Sequence, residues 1–326
     1  MEALAEIAMS GMSSIFNDDQ LNCAILGGLK SDAKPLLNVS AILLNSGNSH
    51  LRLQKLENLS KCGFEKIVSI ESDHNNYNIE DFAQKMPHVK FIIPLEKAAD
   101  GDLINLAVSE ISSERFLILR DSLNITPNLL SPALAERLSA QKVFCLVPRI
   151  FSRSGQTFPV RFEPSAKNAI LKIDSSSQIF DGAPTLFPFN FFGLYDTKKF
   201  KELGGYDGEI KNSYWQNLDL SFRAWLWGEK IALSTSFALS CEDGMTAMDS
   251  TPDLSQLRFF LKNMAPVYKN ERAEIPVGRF WGYKARSCCG LFEACSQFAA
   301  ARLWVRQNRC RFKMDAFKLI SEWGRE

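Results

Sequence analysis

From Val39 to Leu119 the chain alternates short apolar runs with segments of helical spacing, and this alternation limits the fold more than any other feature. Val39-Ser40-Ala41-Ile42-Leu43-Leu44 runs into Asn45-Ser46-Gly47-Asn48 and reads as a buried strand closed by a polar loop. Leu51, Leu53, Leu56 and Leu59 follow at near-helical spacing, and Gly63 stops them. Lys66 to Ile70 is a second strand, leading into Glu71-Ser72-Asp73-His74. A helix over 79–85, a strand over 89–93, a helix over 103–111 and a strand over 115–119 continue the pattern. It predicts an α/β fold with a doubly wound, mostly parallel sheet. Ligands of such sheets lie beyond the carboxyl ends of the strands, so the loops at 45–48, 71–76 and 120–124 are expected to line one crevice.

The rest of the chain decorates this core. Residues 1–38 mix Ala, Met and Leu with polar residues and predict an N-terminal helical cap. Residues 142–148 read as a strand, 149–174 as an antiparallel excursion, and 188–195 as an aromatic strand. Gly204-Gly205-Tyr206-Asp207-Gly208 forms a tight turn, and Trp215 to Trp227 has helical spacing. The organisation is a core over 39–250, divided near 127, followed by a basic amphipathic helical tail over 251–326. From Glu271 onward that tail carries eleven Lys or Arg against six Asp or Glu, interleaved with Phe and Trp. This pattern suits a solvated cap, an anionic membrane surface or a protein partner.

Composition excludes several other classes. With 46% hydrophobic residues the chain has material for a sizeable core, and a net charge of +1 argues against nucleic acid as its main partner. Eight cysteines without a Cys-x-x-Cys pair, and three histidines far from the cysteine-rich end, do not form a zinc module. No apolar run approaches the ~18 residues of a membrane span. A cytoplasmic location is expected, at most peripheral on the inner face of a membrane.

Four stretches resemble a GT-A glycosyltransferase, of the family 2 type and, in the later part, of the polypeptide N-acetylgalactosaminyltransferase type. They are 39–48, 67–76, the pair Asp102 to Ala107 with Phe116 to Pro127, and Phe200 to Glu209 followed by Trp215-Gln216-Asn217-Leu218-Asp219-Leu220-Ser221-Phe222-Arg223. The resemblance implies a transferase that moves a sugar from a nucleotide-sugar donor, a UDP-sugar by preference, to a glycan, lipid-linked or protein acceptor. By that likeness Asn45, Glu71 and Asp73 hold the base and ribose, Arg120 and Asp121 the diphosphate side, and Asn105 belongs with the donor-binding residues. Tyr206, Trp215, Gln216 and Asn217 shape the acceptor and sugar pocket, while Asp207 and Asp219 are the candidate catalytic carboxylates.

The departures from the family pattern bear on mechanism. A manganese or magnesium ion stabilising the leaving diphosphate needs oxygen ligands, yet the motif reads Asp121-Ser122-Leu123, and Leu123 offers no lone pair. Asp121 and, further on, Glu242 are the remaining candidate ligands, so cation binding is expected to be weak or absent. Gln216-Asn217 stand where the family has the acidic pair that supplies the general base, and amides do not take a proton at neutral pH. A retaining reaction suffers less from this loss. The alternative is a catalytically inactive pseudo-glycosyltransferase that keeps the fold to bind a sugar, a nucleotide or a partner.

Overall fold

The computed structural model describes residues 21–29, 34–45, 51–71, 79–167, 170–241, 247–287 and 289–324. Its centre is an eight-stranded sheet in the order β1-β4-β3-β2-β5-β9-β6-β10. These strands are β1 (Cys23–Gly27), β2 (Val39–Asn45), β3 (Ile67–Glu71), β4 (Val89–Pro94), β5 (Arg115–Arg120), β6 (Cys145–Ser152), β9 (Gly193–Asp196) and β10 (Ile231–Cys241). The run β4-β3-β2-β5 is parallel, and β6 pairs parallel with β10. Only β1, against β4, and β9, between β5 and β6, run the other way. A sheet covered on both faces selects near-continuous apolar strands, and every residue of β2 and β3 is buried.

Flanking the sheet are α1 (Arg52–Lys61), α2 (Ile79–Lys85), α3 (Asp100–Ser109), α4 (Pro132–Ser139), α5 (Thr197–Leu203) and α6 (Ser213–Leu226). The excursion expected after β6 is a separate antiparallel hairpin, β7 (Arg161–Lys167) and β8 (Ile170–Ser176). Residues 189–191 form a 3-10 turn before β9, so the aromatic stretch is only partly strand.

Two expectations need correction. Within the segment expected to be a helical cap, the described residues hold strand β1, bonded to the sheet edge with Ala24 opposite Ile93. Gly27 and Gly28, both at positive φ, close it. The tail is not one amphipathic helix. It comprises α7 (Leu254–Phe259) continued by a π-turn over Phe260–Met264, a hairpin of β11 (Val267–Lys269) and β12 (Arg272–Glu274), then α8 (Arg279–Ser287), α9 (Leu291–Asn308) and α10 (Ala316–Ser321). Asn270 and Glu271 both take positive φ (51° and 61°), as the central pair of a two-residue hairpin turn must to match strand twist. Phe298, Val305 and Phe312 join the same hydrophobic core as the sheet, and Trp304 stacks on Trp227 just beyond α6, ring centroids 6.2 Å apart.

Candidate functional site

The carboxyl ends of β3, β2 and β5 lie side by side, with Asn45 opposite Glu71 and Leu44 opposite Arg120. Helix α1 begins above them, and its inward stripe of Arg52, Lys55, Leu56 and Leu59 follows the i, i+3, i+4, i+7 spacing of one helix face. Two cations therefore lie against the strand ends. Arg52 pairs with Glu71, which also accepts from Ser69 Oγ at 2.9 Å. Burial pushes the Glu71 carboxyl up, against the opposing pull of Arg52. Asn45 Nδ2 donates to Ser69 Oγ at 2.8 Å and to the Ile70 carbonyl at 3.3 Å. Lys55 Nζ donates to the backbone carbonyl of Asp121. Arg120 Nη2 meets Asp100 Oδ2, at the start of α3, at 2.5 Å.

Asn45 Oδ1, Arg52 Nε and Arg120 Nε on this shelf are buried with no hydrogen-bond partner among the described residues. Leaving a buried polar atom unsatisfied costs about 1–3 kcal/mol. Leu44, not Asn45, lies opposite Arg120, so the Asn45 and Arg120 side chains leave opposite faces of the sheet, and only a ligand lying across the carboxyl edge of the strands would reach both.

The described residues of this shelf do not by themselves make a divalent-cation site. Leu123 is fully buried, bridged in antiparallel fashion to Cys241, and cannot turn out to be replaced by a water ligand without opening the core. The Lys55 ammonium already lies on Asp121, and like charges exclude each other from one site. Among the described residues no group of three or more His, Cys, Asp or Glu is arranged to hold a metal. Glu242 and Asp73 lie outside the described residues.

On the acceptor side the expected residues make contacts within the protein. Asn105, expected near the donor, clamps the turn after α5: its Oδ1 accepts from Tyr206 N at 2.9 Å and its Nδ2 donates to the Tyr206 carbonyl at 2.8 Å. Arg223 donates to the Gly205 carbonyl of the same turn. Tyr206 is not a pocket wall, because its ring is packed edge-on against Phe191 and Phe200 with 1% of its surface exposed. Trp215 is likewise buried, with Nε1 donating to the Thr251 carbonyl at 3.1 Å. Gln216 spans to α3, accepting from Gly101 N at 2.9 Å and donating to Asp102 Oδ1 at 3.0 Å. Asn217 donates to the Pro188 carbonyl at 2.7 Å, and its Oδ1 has no partner among the described residues.

Asp207 and Asp219, expected as catalytic carboxylates, form the anionic half of a buried ion cluster. Lys262 Nζ lies between them, 2.6 Å from Asp207 Oδ2 and 3.0 Å from Asp219 Oδ2. Arg258 adds bonds of 2.8 and 3.2 Å to Asp207. Asn263 Nδ2 donates to Asp219 Oδ1 at 2.7 Å, and Arg223 Nη1 approaches Asp219 to 3.3 Å. Burial alone would push the Asp207 carboxyl up, but Lys262 and Arg258 outweigh it and hold it well below the usual carboxylate range. The Trp304 ring of α9 closes the cluster, with Lys262 Nζ 4.7 Å from its centroid. Asp219 has no exposed surface, so in this conformation no acceptor hydroxyl reaches it. Arg52, Lys55, Arg258, Lys262 and Asn263 carry no motif in the sequence. The one available signal is the i, i+4 spacing of Arg258 and Lys262, which puts two cations on one helical face.

The chain order and strand order now decide the fold. Over 88% of its length the chain superposes on the crystal structure of GalNAc-T7 with UDP, GalNAc and Mn2+, with a TM-score of 0.58 at 13% sequence identity. The fold is that of the GT-A glycosyltransferases. A mannosyltransferase from Pyrobaculum calidifontis, in complex with GDP-Man and Mn2+, is a more distant match, with a TM-score of 0.45 at 9% identity over 93% of this chain and 78% of that one. The GT-A chain described here spans 57% of the GalNAc-T7 chain. No protein-family profile matches the sequence, and no curated protein sequence is similar to it.

Proposed function

We propose that this GT-A chain is a glycosyltransferase that takes a nucleotide-sugar donor, a UDP-sugar by preference, at the carboxyl ends of β2, β3 and β5, and that it does so without a divalent cation. The unsatisfied Asn45 Oδ1 and Arg120 Nε support this reading: they lie on opposite faces at adjoining strand ends, and a nucleotide lying across that edge offers a donor to the first and anionic oxygens to the second. Lys55 supplies positive charge at Asp121. Arg120 supplies the guanidinium that faces the leaving phosphate. With Asp207 and Asp219 committed to Lys262 and Arg258, the acceptor proton passes to the departing phosphate oxygen as the new glycosidic bond forms, a front-face route that uses no protein carboxylate as base. The acceptor is a glycan, a lipid-linked sugar or a protein.

The test is a thermal-shift titration against UDP-, GDP-, CMP- and TDP-sugars, each with EDTA or with manganese. A ligand at about 100 times its Kd stabilises the folded state by about 2.7 kcal/mol. One nucleotide class is expected to raise the midpoint equally under both conditions, and Arg120→Ala to abolish the shift. A shift that requires manganese overturns the cation-free reading.

The sealed state of Asp219 favours a second reading, a pseudo-glycosyltransferase that binds the donor without transferring it. Donor binding with no transfer and no slow hydrolysis of the sugar nucleotide distinguishes it.

A further inference from the structure

Helix α9 is apolar on two sides. Ala294, Phe298, Ala301 and Val305 face the core, while Phe292 and Leu303, about half a helical turn away in azimuth, are 92% and 58% exposed. Helix α8 packs alongside, with Phe280 and Tyr283 against Phe298 at 5.4 and 6.1 Å. Its outward side presents Trp281, 71% exposed, on the turn opposite the buried Tyr283 and Ser287. Val277 and Leu291, at the entry and at the hairpin bend, are also exposed. A water-facing surface does not require an exposed Trp, an exposed Phe and three exposed aliphatic side chains on one helical hairpin.

Charge identifies the occupant. Between Pro276 and Arg309 the sequence holds six Lys or Arg and one acid, Glu293. Arg306 and Arg302 lie along one side of the outward stripe of α9, with Glu293 and Gln307 along the other, and Lys284 and Arg286 lie in the last turn of α8. Exposed aromatics with cations beside them match the boundary between acyl chains and anionic headgroups, where indole and phenyl rings enter and Lys and Arg stay at the phosphate level. A protein partner would have to present acids placed opposite each of these cations, whereas an anionic bilayer supplies a uniform negative plane. No helix among the described residues is long and apolar enough to cross a membrane, so the contact is interfacial.

We infer that the α8–α9 hairpin docks on an anionic lipid bilayer, inserting Trp281 and Phe292 between headgroups. The full chain is floated with vesicles of phosphatidylcholine alone or mixed with phosphatidylglycerol. Binding is expected only to the anionic vesicles, to fall about fivefold in Arg306→Gln as one headgroup-level charge is lost, and to fall at least tenfold in the double variant Trp281→Ser/Phe292→Ser. An unchanged melting midpoint verifies that this variant folds. Independently of any loss of binding, brominated acyl chains are expected to quench wild-type fluorescence, and Trp281→Phe to remove that part of the quenching. Failure to float with anionic vesicles, or equal binding by the double Ser variant, overturns the inference. So does a wild-type dimer by light scattering that the double Ser variant converts to a monomer, since a second copy would then cover the face. None of these readouts depends on nucleotide binding or sugar transfer.

Discussion

Replacing Lys262 with Met removes one cation from between two buried carboxylates and leaves the others in place. In the intact cluster Lys262, Arg258 and Arg223 face Asp207 and Asp219. After the change Asp207 keeps Arg258, and Asp219 keeps Arg223 and Asn263, so charge remains balanced and the Met side chain fills the space beneath Trp304. Breaking a buried pair costs about 3–5 kcal/mol, and the remaining partners put Lys262→Met at or below the lower end. Asp219→Leu leaves three cations facing one carboxylate and belongs at the upper end. For a chain of this size about 2 °C of melting temperature accompanies each kcal/mol, so the expected losses are about 6 °C and about 10 °C. Thermal and urea unfolding of the two single variants and the double variant measure them, with a coupling of about 1–3 kcal/mol between the sites. An Asp219→Asn variant that melts like the wild type yet loses sugar transfer would refute the argument, because Asp219 would then be acting on substrate and not on Lys262.

Leu123→Asp is expected to destabilise by about 3 kcal/mol or more without creating manganese binding, since the new carboxylate is buried beside Cys241; calorimetric titration with manganese checks it. Gly205→Ala is expected to cost more than about 1 kcal/mol by urea unfolding, because φ is +63° and the added Cβ meets Asn105 Oδ1. Asp207 has a folded-state carboxyl held below its unfolded value of about 3.9. Its contribution is therefore complete above about pH 4 and lost as pH falls through the folded value, where the unfolded chain binds the extra proton. Asp207→Asn is expected to be less stable than the wild type at pH 7 and to show a shallower loss of stability below about pH 4, measured by urea midpoints across pH.

How much of this was legible in the sequence depended on the range of the interactions involved. Strands β2 and β3 are buried on both faces, so their apolar runs identify them without knowledge of their neighbours. β1 escapes because four apolar residues next to two glycines suit an edge strand and a helix end alike, and only its pairing with β4 decides. β11 and β12 escape because Lys269, Arg272 and Glu274 mask their alternation. The turn at 204–208 and the helix from 213 were legible as positions, but not the roles of their side chains. Gln216 meets Asp102 across 114 residues of chain, and Lys262 meets Asp207 across 55. Local spacing holds no record of such partners.

Gln216 shows how those partners fix a residue type. Its Oε1 must accept, because Gly101 N points at it, and its Nε2 must donate, because the facing atom is the buried carboxylate oxygen of Asp102. A glutamate in that place would satisfy Gly101 but would set a second carboxylate about one hydrogen-bond length from the first, and burial already pushes the Asp102 carboxyl up. Only a side chain with one acceptor and one donor meets both demands. The amide at the position where the resemblance leads one to expect an acid is thus coupled to Asp102 on α3, just as the fixed place of Asp207 and Asp219 is coupled to Lys262 on the π-turn. Through these bonds the turn and helix are tied to α3 on one side and to the π-turn on the other, while Asn45 Oδ1 and Arg120 Nε at the ends of β2 and β5, where a donor nucleotide is proposed to bind, remain without a partner among the described residues.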